Sequence, residues 1–271
     1  MPIPANGDFM NVNEKKIGKI ASVLRAFNGR IPEKAFFSAI IVAAGSSTRM
    51  GAETPKQFMD LDGMDVVARA ISAYQNSEYI KEIIIVAREG DKPRYEDYKR
   101  IYSFTKLKKV VCGGATRQDS VLCGVEKVDE KCEFVAIADG ARPLTTTEMV
   151  DKVCRMAFDF DAACAVSRSY DTVKIADKAG FITGTHDRDV CCFAQTPQIF
   201  KLPLYRAAAY YAKENNFAAT DDCSLVENIK RKVKLVDVGR DNIKITCPED
   251  IETALMIIRK REGKSSPSIG G

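Results

Sequence analysis

Charged residues stand where they could act on a phosphate at three places in this chain. Arg49 and Lys56 follow the small-residue loop Ala44-Gly45-Ser46-Ser47. Asp139 and Arg142 follow the apolar run Phe134-Val135-Ala136-Ile137-Ala138, and Lys244 stands between Ile243 and Ile245. Small loop residues let backbone N–H groups approach an anion closely. A loop of this kind with two cations has the parts needed to hold a triphosphate while charge builds on one phosphorus. On its own, the same loop serves equally as a tight turn. It lacks the Gly-Lys-Ser/Thr of a P-loop and the spacing of G-x-G-x-x-G. A single histidine, His186, excludes multi-histidine zinc sites, and no G-x-S-x-G elbow accompanies it. Chemistry falls to Lys, Arg, Asp, backbone amides and a bound cation.

These residues need elements to place them. Strand patterns lie at 39–43, 82–87, 109–111, 134–138 and 162–166, and helix patterns at 65–76, 117–127, 147–158, 203–215 and 248–261. Their alternation predicts an α/β fold with a mostly parallel sheet covered by helices on both faces. Ligands of such sheets gather at the carboxyl ends of the strands, where the charged motifs fall. Residues 167–195 break the alternation and read as a hairpin that leaves the sheet. Residues 1–37 read as an N-terminal extension with an amphipathic helix over 13–27, and 263–271 as a disordered tail. One domain, 38–262, remains between them.

Further motifs carry two readings each. Gly113-Gly114-Ala115-Thr116-Arg117-Gln118-Asp119-Ser120-Val121 opens a helix and suits an anion or a base carbonyl, or is simply a turn. Asp139 with Arg142 places charge at a site or forms a structural ion pair. Asp171-Thr172-Val173-Lys174 and Asp187-Arg188 lie on the hairpin, where polar residues are ordinary. Thr220 or Asp221 could cap the helix that follows. A strand carrying Lys244 would point it away from its isoleucine neighbours, toward a phosphate or toward solvent.

Taken in order, A-A-G-x-x-x-R-M…P-K-Q, G-G-x-x-R-x-x-S-V, D-G-x-R-P, T-D-D-x-S and N-I-K-I-T-x-P-E-D span residues 38 to about 261. The chain thereby resembles the nucleotidyltransferases that join a polyol phosphate to a nucleoside triphosphate, within them the methylerythritol-phosphate cytidylyltransferases. Ribitol 5-phosphate cytidylyltransferases share the first three motifs. A non-catalytic nucleotide-binding regulator is the alternative of another class. The resemblance implies a three-layer α/β/α Rossmann-like nucleotidyltransferase (GT-A-like) fold with a protruding β-hairpin arm for dimerisation. It implies catalytic roles for Arg49, Lys56 and Lys244. It implies nucleotide contacts by Ala43, Ala44, Gly45, Gly114, Ala115, Arg117, Ser120, Asp139 and Gly140. Asp139, Arg142, Thr172, Arg188, Thr220 and Lys244 would bind the acceptor, with Thr172 and Arg188 reaching the partner subunit's site. Asp139 would also lie near a Mg²⁺ on the triphosphate of CTP. Gly140 departs from the Ala that many relatives carry.

Composition sets further bounds. With 271 residues and 45% hydrophobic content the chain can bury a substantial core. The net charge of +4, scattered, does not argue for nucleic acid. No apolar stretch approaches the roughly 20 residues of a membrane span. The absence of an apolar run near the N-terminus predicts no secretory signal. Nine cysteines without a C-x-x-C pair read as reduced thiols in a cytoplasm.

Overall fold

The computed structural model describes residues 35–45 and 55–263. In chain order these form β1 (Phe37–Val42), a 3-10 turn (Lys56–Phe58), α1 (Val66–Asn76), β2 (Ile80–Ala87), α2 (Lys92–Ile101), β3 (Leu107–Cys112), α3 (Arg117–Val125) and β4 (Phe134–Asp139). Then come α4 (Thr147–Phe160), β5 (Ala162–Arg168), β6 (Val173–Ala176), β7 (Ile182–His186), β8 (Cys192–Lys201), α5 (Leu202–Glu214), α6 (Asp222–Asn228), β9 (Lys234–Asp237) and α7 (Glu249–Arg261). The seven-stranded sheet has the order β3-β2-β1-β4-β8-β5-β9. Only β8 runs antiparallel, against both β4 and β5.

The central strands are apolar runs because both of their faces are covered. Alternate residues of one strand enter different cores. Ala39 and Ile41 face α1, α2 and α4 together with Ile83, Ile85, Ala136 and Ala138. Ile40 faces α3, α5 and α6 together with Ile84, Val86, Val135 and Ile137. A third, smaller cluster packs Leu61, Val66, Leu144 and Ile245 against Ala254 and Ile258 of α7. The three-layer α/β/α architecture is therefore present, with a mostly parallel sheet.

The chain order places a switch point beside β1. Strands β2 and β3 build outward on one side of β1, and β4 returns to the other. Such reversals open a crevice at the carboxyl ends of the strands. The parallel register pairs Val42 with Asp139 there.

Three readings of the sequence are corrected. Lys244 is not on a strand: residues 240–246 form an irregular segment outside the sheet. The free hairpin is only β6 and β7, since 167–168 belong to β5 and 192–195 to β8. Strands β8 and β9 and helix α2 had no counterpart in the sequence pattern. β8 was hidden because Gln195, Thr196 and Gln198 are polar yet buried, so its periodicity is not apolar. The N-terminal helix pattern, Arg49 and all of the tail but Gly263 lie outside the described residues.

Candidate active site

A cleft of about 500 Å³ opens at the carboxyl ends of β1 and β4. Its floor is Ala43, Ala44 and Gly45 after β1, with Asp139 and Gly140 at the end of β4. Gly114, Ala115, Arg117 and Ser120 line one wall, and Lys56, Lys244 and Thr246 also line it. All nine residues expected to contact the nucleotide are thus brought together. A Cβ on Gly140 would lie 3.1 Å from Val67 Cγ2 and 3.2 Å from the Val42 carbonyl, so glycine relieves a tight corner.

The Gly-Gly loop is built from its own sequence. Thr116 caps α3 by accepting from Asp119 N–H, and Asp119 returns a bond to Thr116 N–H, completing a capping box. Ser120 Oγ accepts from Gly114 N–H at 3.1 Å and donates to the Thr116 carbonyl at 2.8 Å. A Cβ on Gly114 would come within 2.5 Å of Asp119 Cβ, so no other residue fits this fold-back. Gly114, Ala115, Thr116, Arg117 and Ser120 of this loop and of the first turn of α3 thereby line the cleft, and a helix N-terminus suits an anion.

Asp139 is the electrostatic centre. Lys244 Nζ lies 2.8 Å from its carboxylate, Arg117 Nη2 3.5 Å and Arg142 Nε 3.6 Å. Its backbone N–H donates to Thr196 Oγ1 of β8. Burial pushes the carboxyl up, but Lys244, Arg117 and Arg142 outweigh burial and hold it below the usual carboxylate range. Arg142 sits beneath the cleft, its side chain 11% exposed, and burial lowers its guanidinium despite Asp139. Lys56 reaches across to the Ile245 carbonyl at 2.9 Å, tying the 3-10 turn to the segment that carries Lys244.

Asp222 is a member of the site that the sequence named without assigning a task. Its Oδ2 lies 2.7 Å from Arg117 Nη1, and its Oδ1 accepts from Tyr205 at 2.8 Å. The ion pair with Arg117 lacks hydrogen-bond alignment, and Oδ2 accepts no other bond. Burial pushes the Asp222 carboxyl up, opposed by Arg117. Arg117 is therefore shared between two buried carboxylates, which a first-turn helix position did not foretell.

Other expected residues fall elsewhere. Thr172 and Arg188 are exposed on the arm, where Arg188 donates to the Tyr170 carbonyl. Thr220 is exposed and pairs with Ser224, while Asp221 caps α6. None of Thr172, Arg188, Thr220 and Asp221 lines the cleft. All nine cysteines are free thiols. Among the described residues no helix is long and apolar enough to cross a membrane.

A switch-point crevice walled by a glycine fold-back and by cations defines a nucleotide-handling α/β protein. Residues 37–260 match the profile of the 2-C-methyl-D-erythritol 4-phosphate cytidylyltransferase (IspD) family. A 2-C-methyl-D-erythritol 4-phosphate cytidylyltransferase from Caldanaerobacter subterraneus is 42% identical over 224 residues, covering 82% of this chain and 99% of the relative. One from Pelotomaculum thermopropionicum is 36% identical, covering 86% and 98%. Among solved structures, the 4-diphosphocytidyl-2C-methyl-D-erythritol synthase of Anaerococcus prevotii superposes with a TM-score of 0.74 at 32% identity, covering 83% of this chain and 99% of that one. The Thermus thermophilus cytidylyltransferase gives 0.67 at 28% identity, covering 82% and 98%. The chain belongs to the 2-C-methyl-D-erythritol 4-phosphate cytidylyltransferase family.

Because its folded pKa is depressed, Asp139 contributes stability fully above the unfolded carboxylate value near about pH 4, and loses it as pH falls through the lower folded value. Asp139→Asn leaves Arg142 and the partly exposed Lys244 and Arg117 without their anion and should cost about 1–3 kcal/mol at neutral pH. Urea unfolding should show that gap narrowing at about pH 3; a gap that is constant or widens contradicts the assignment.

Proposed function

We propose that this chain transfers CMP from CTP to 2-C-methyl-D-erythritol 4-phosphate, giving 4-diphosphocytidyl-2-C-methyl-D-erythritol and pyrophosphate. The observation that carries the reading is the convergence of Lys56, Lys244 and Arg117 on the one cleft floored by the β1 loop and Asp139. Family membership sets aside a non-catalytic regulator. The relatives described above do not favour ribitol 5-phosphate as acceptor.

The acceptor phosphate is already an anion at neutral pH, so its oxygen attacks the α-phosphorus without a general base. The new O–P bond forms as the bond to the β-phosphate oxygen breaks, and pyrophosphate leaves with the electron pair. Catalysis is then positioning and charge neutralisation. Lys56 acts on the charge that grows at the α-phosphorus and on the leaving group, together with Arg49 on the sequence argument alone. Lys244 draws in the acceptor phosphate. An ammonium has three donors, so pairing with Asp139 leaves others for that phosphate. The Gly114 fold-back and the N-terminus of α3 receive the nucleotide.

Magnesium fits this donor set in one way. Among the described residues no group of three or more His, Cys, Asp or Glu could hold a metal, and Asp139 is the carboxylate lining the cleft. An ion held mainly by triphosphate oxygens and water, with Asp139 as its protein ligand, matches Mg²⁺ preferences. When bound it would neutralise charge on the triphosphate. Nine free thiols support a reducing cytoplasm as the place of work.

The hairpin arm supports a homodimer. Tyr170, Ile175, Phe181, Ile182, Val190 and Phe193 are large apolar side chains left exposed on or beside it. A two-stranded hairpin is marginal alone, and clustered exposed apolar groups mark a contact surface. A partner subunit would cover them and receive Thr172 and Arg188 at its acceptor pocket.

Two experiments test this reading. Pyrophosphate release with CTP should be rapid with methylerythritol phosphate and slow with ribitol 5-phosphate, and Lys56→Ala should cut kcat by about 10²–10³. No turnover by the parent, or near-parent turnover by the variant, defeats the corresponding claim. For the arm, inactive Arg188→Ala and Lys56→Ala chains are mixed after dissociation. Statistical heterodimers with one intact site each should regain about a quarter of parent activity; verified heterodimers that stay inactive would refute a shared site.

A further inference from the structure

Segment 240–246 carries Lys244 across the top of the sheet without joining it. No strand ladder fixes its position, so other bonds must. One anchor is Ile245, whose N–H donates to the Ala141 carbonyl at 2.8 Å and whose carbonyl accepts from Lys56. The other lies on the opposite side of Lys244. It is the side chain of Asn242, fully buried at 0% exposure.

Every polar atom of that side chain is used. Asn242 Oδ1 accepts from Thr145 Oγ1 at 2.9 Å. Its Nδ2 donates to Gln195 Oε1 at 3.0 Å and to the Thr196 carbonyl at 2.9 Å. The carbonyl can only accept, which settles the orientation of the amide. In addition, the backbone carbonyl of Asn242 accepts from Arg142 Nη1 at 2.7 Å. One residue thus joins β8, the turn after β4 and the segment bearing Lys244. Its partners also reach Asp139 directly: Thr196 Oγ1 accepts from Asp139 N–H, and Arg142 Nε lies 3.6 Å from the carboxylate.

We infer that Asn242 is a positioning residue for the acceptor-phosphate end of the site, because its buried hydrogen bonds to Thr145, Gln195 and Thr196 fix both Lys244 and Arg142 relative to Asp139. Asn suits the position because it offers two donors and an acceptor in one small plane. Aspartate has the same shape but would oppose oxygen to the Gln195 and Thr196 oxygens. Misplacing a binding group by about 1 Å is enough to cost up to about 10²-fold in rate. The glycine loop has no bond to Asn242 or its partners, and α3 meets the network only at Asp139, through Arg117. The lesion should therefore fall on one substrate.

The inference rests on the cytidylyltransferase reading, and its test separates the two. Steady-state kinetics are compared for the parent, Asn242→Asp and the milder Thr145→Val, which removes the hydroxyl that faces both Asn242 Oδ1 and the Arg142 carbonyl. Circular dichroism confirms the fold of each. KM for 2-C-methyl-D-erythritol 4-phosphate should rise about tenfold or more in Asn242→Asp and less in Thr145→Val, with KM for CTP within about twofold of the parent. Should Asn242→Asp fail to fold, Thr145→Val carries the comparison alone. Unchanged acceptor KM in a folded variant, or an equal rise for both substrates, overturns the positioning role. A parent that does not join CTP to this acceptor defeats the earlier reading instead.

Discussion

One buried carboxylate holds the charged part of this cleft together. Lys244, Arg117 and Arg142 all lie within ion-pair distance of Asp139. Cations gathered to meet phosphates repel one another before any phosphate arrives, and each is costly to desolvate. Asp139 offsets that repulsion. It also gives the cations fixed positions, so less rearrangement is needed when a phosphate enters. The same anion would be the natural neighbour of a cation carried in by a triphosphate.

The fold supplies the geometry that this carboxylate needs. The parallel register of β1 with β4 sets Asp139 beside Val42, at the mouth of the small-residue loop. The antiparallel strand β8 contributes what a parallel strand there would not: it runs back past the end of β4, so Thr196 meets the Asp139 N–H and Gln195 meets Asn242. On the opposite wall, Asp222 at the start of α6 takes a second hold on Arg117. The cleft is thus braced on both sides by buried polar residues outside the loops that line it.

Much of this was legible in the sequence, for a physical reason. Strands β1, β2, β4 and β5 are buried on both faces and read as apolar runs. The Gly113-Gly114 turn that opens a helix declares itself through local chemistry. The placement of Lys244 did not, because its segment is held by side chains from distant elements rather than by a ladder. Asn242 was visible as a letter in a motif, but its bonds reach 47 residues back to Gln195 and 97 back to Thr145. Likewise β8 was hidden by the buried Gln195, Thr196 and Gln198 that make it useful. The arm was legible as an excursion, but the flanks of 167–195 joined the main sheet through the backbone pairing of 166–168 with 192–194.

A double-mutant cycle between Asp139 and Lys244 measures most directly whether the carboxylate organises the cations. Unfolding free energies would be compared for the parent, Asp139→Asn, Lys244→Met and the double variant. A charge pair that acts as a unit should give a coupling energy of about 1–3 kcal/mol, with the double variant less destabilised than the sum of the singles. Additivity within about 0.5 kcal/mol would show that the two groups stand side by side without holding each other, and would contradict the account.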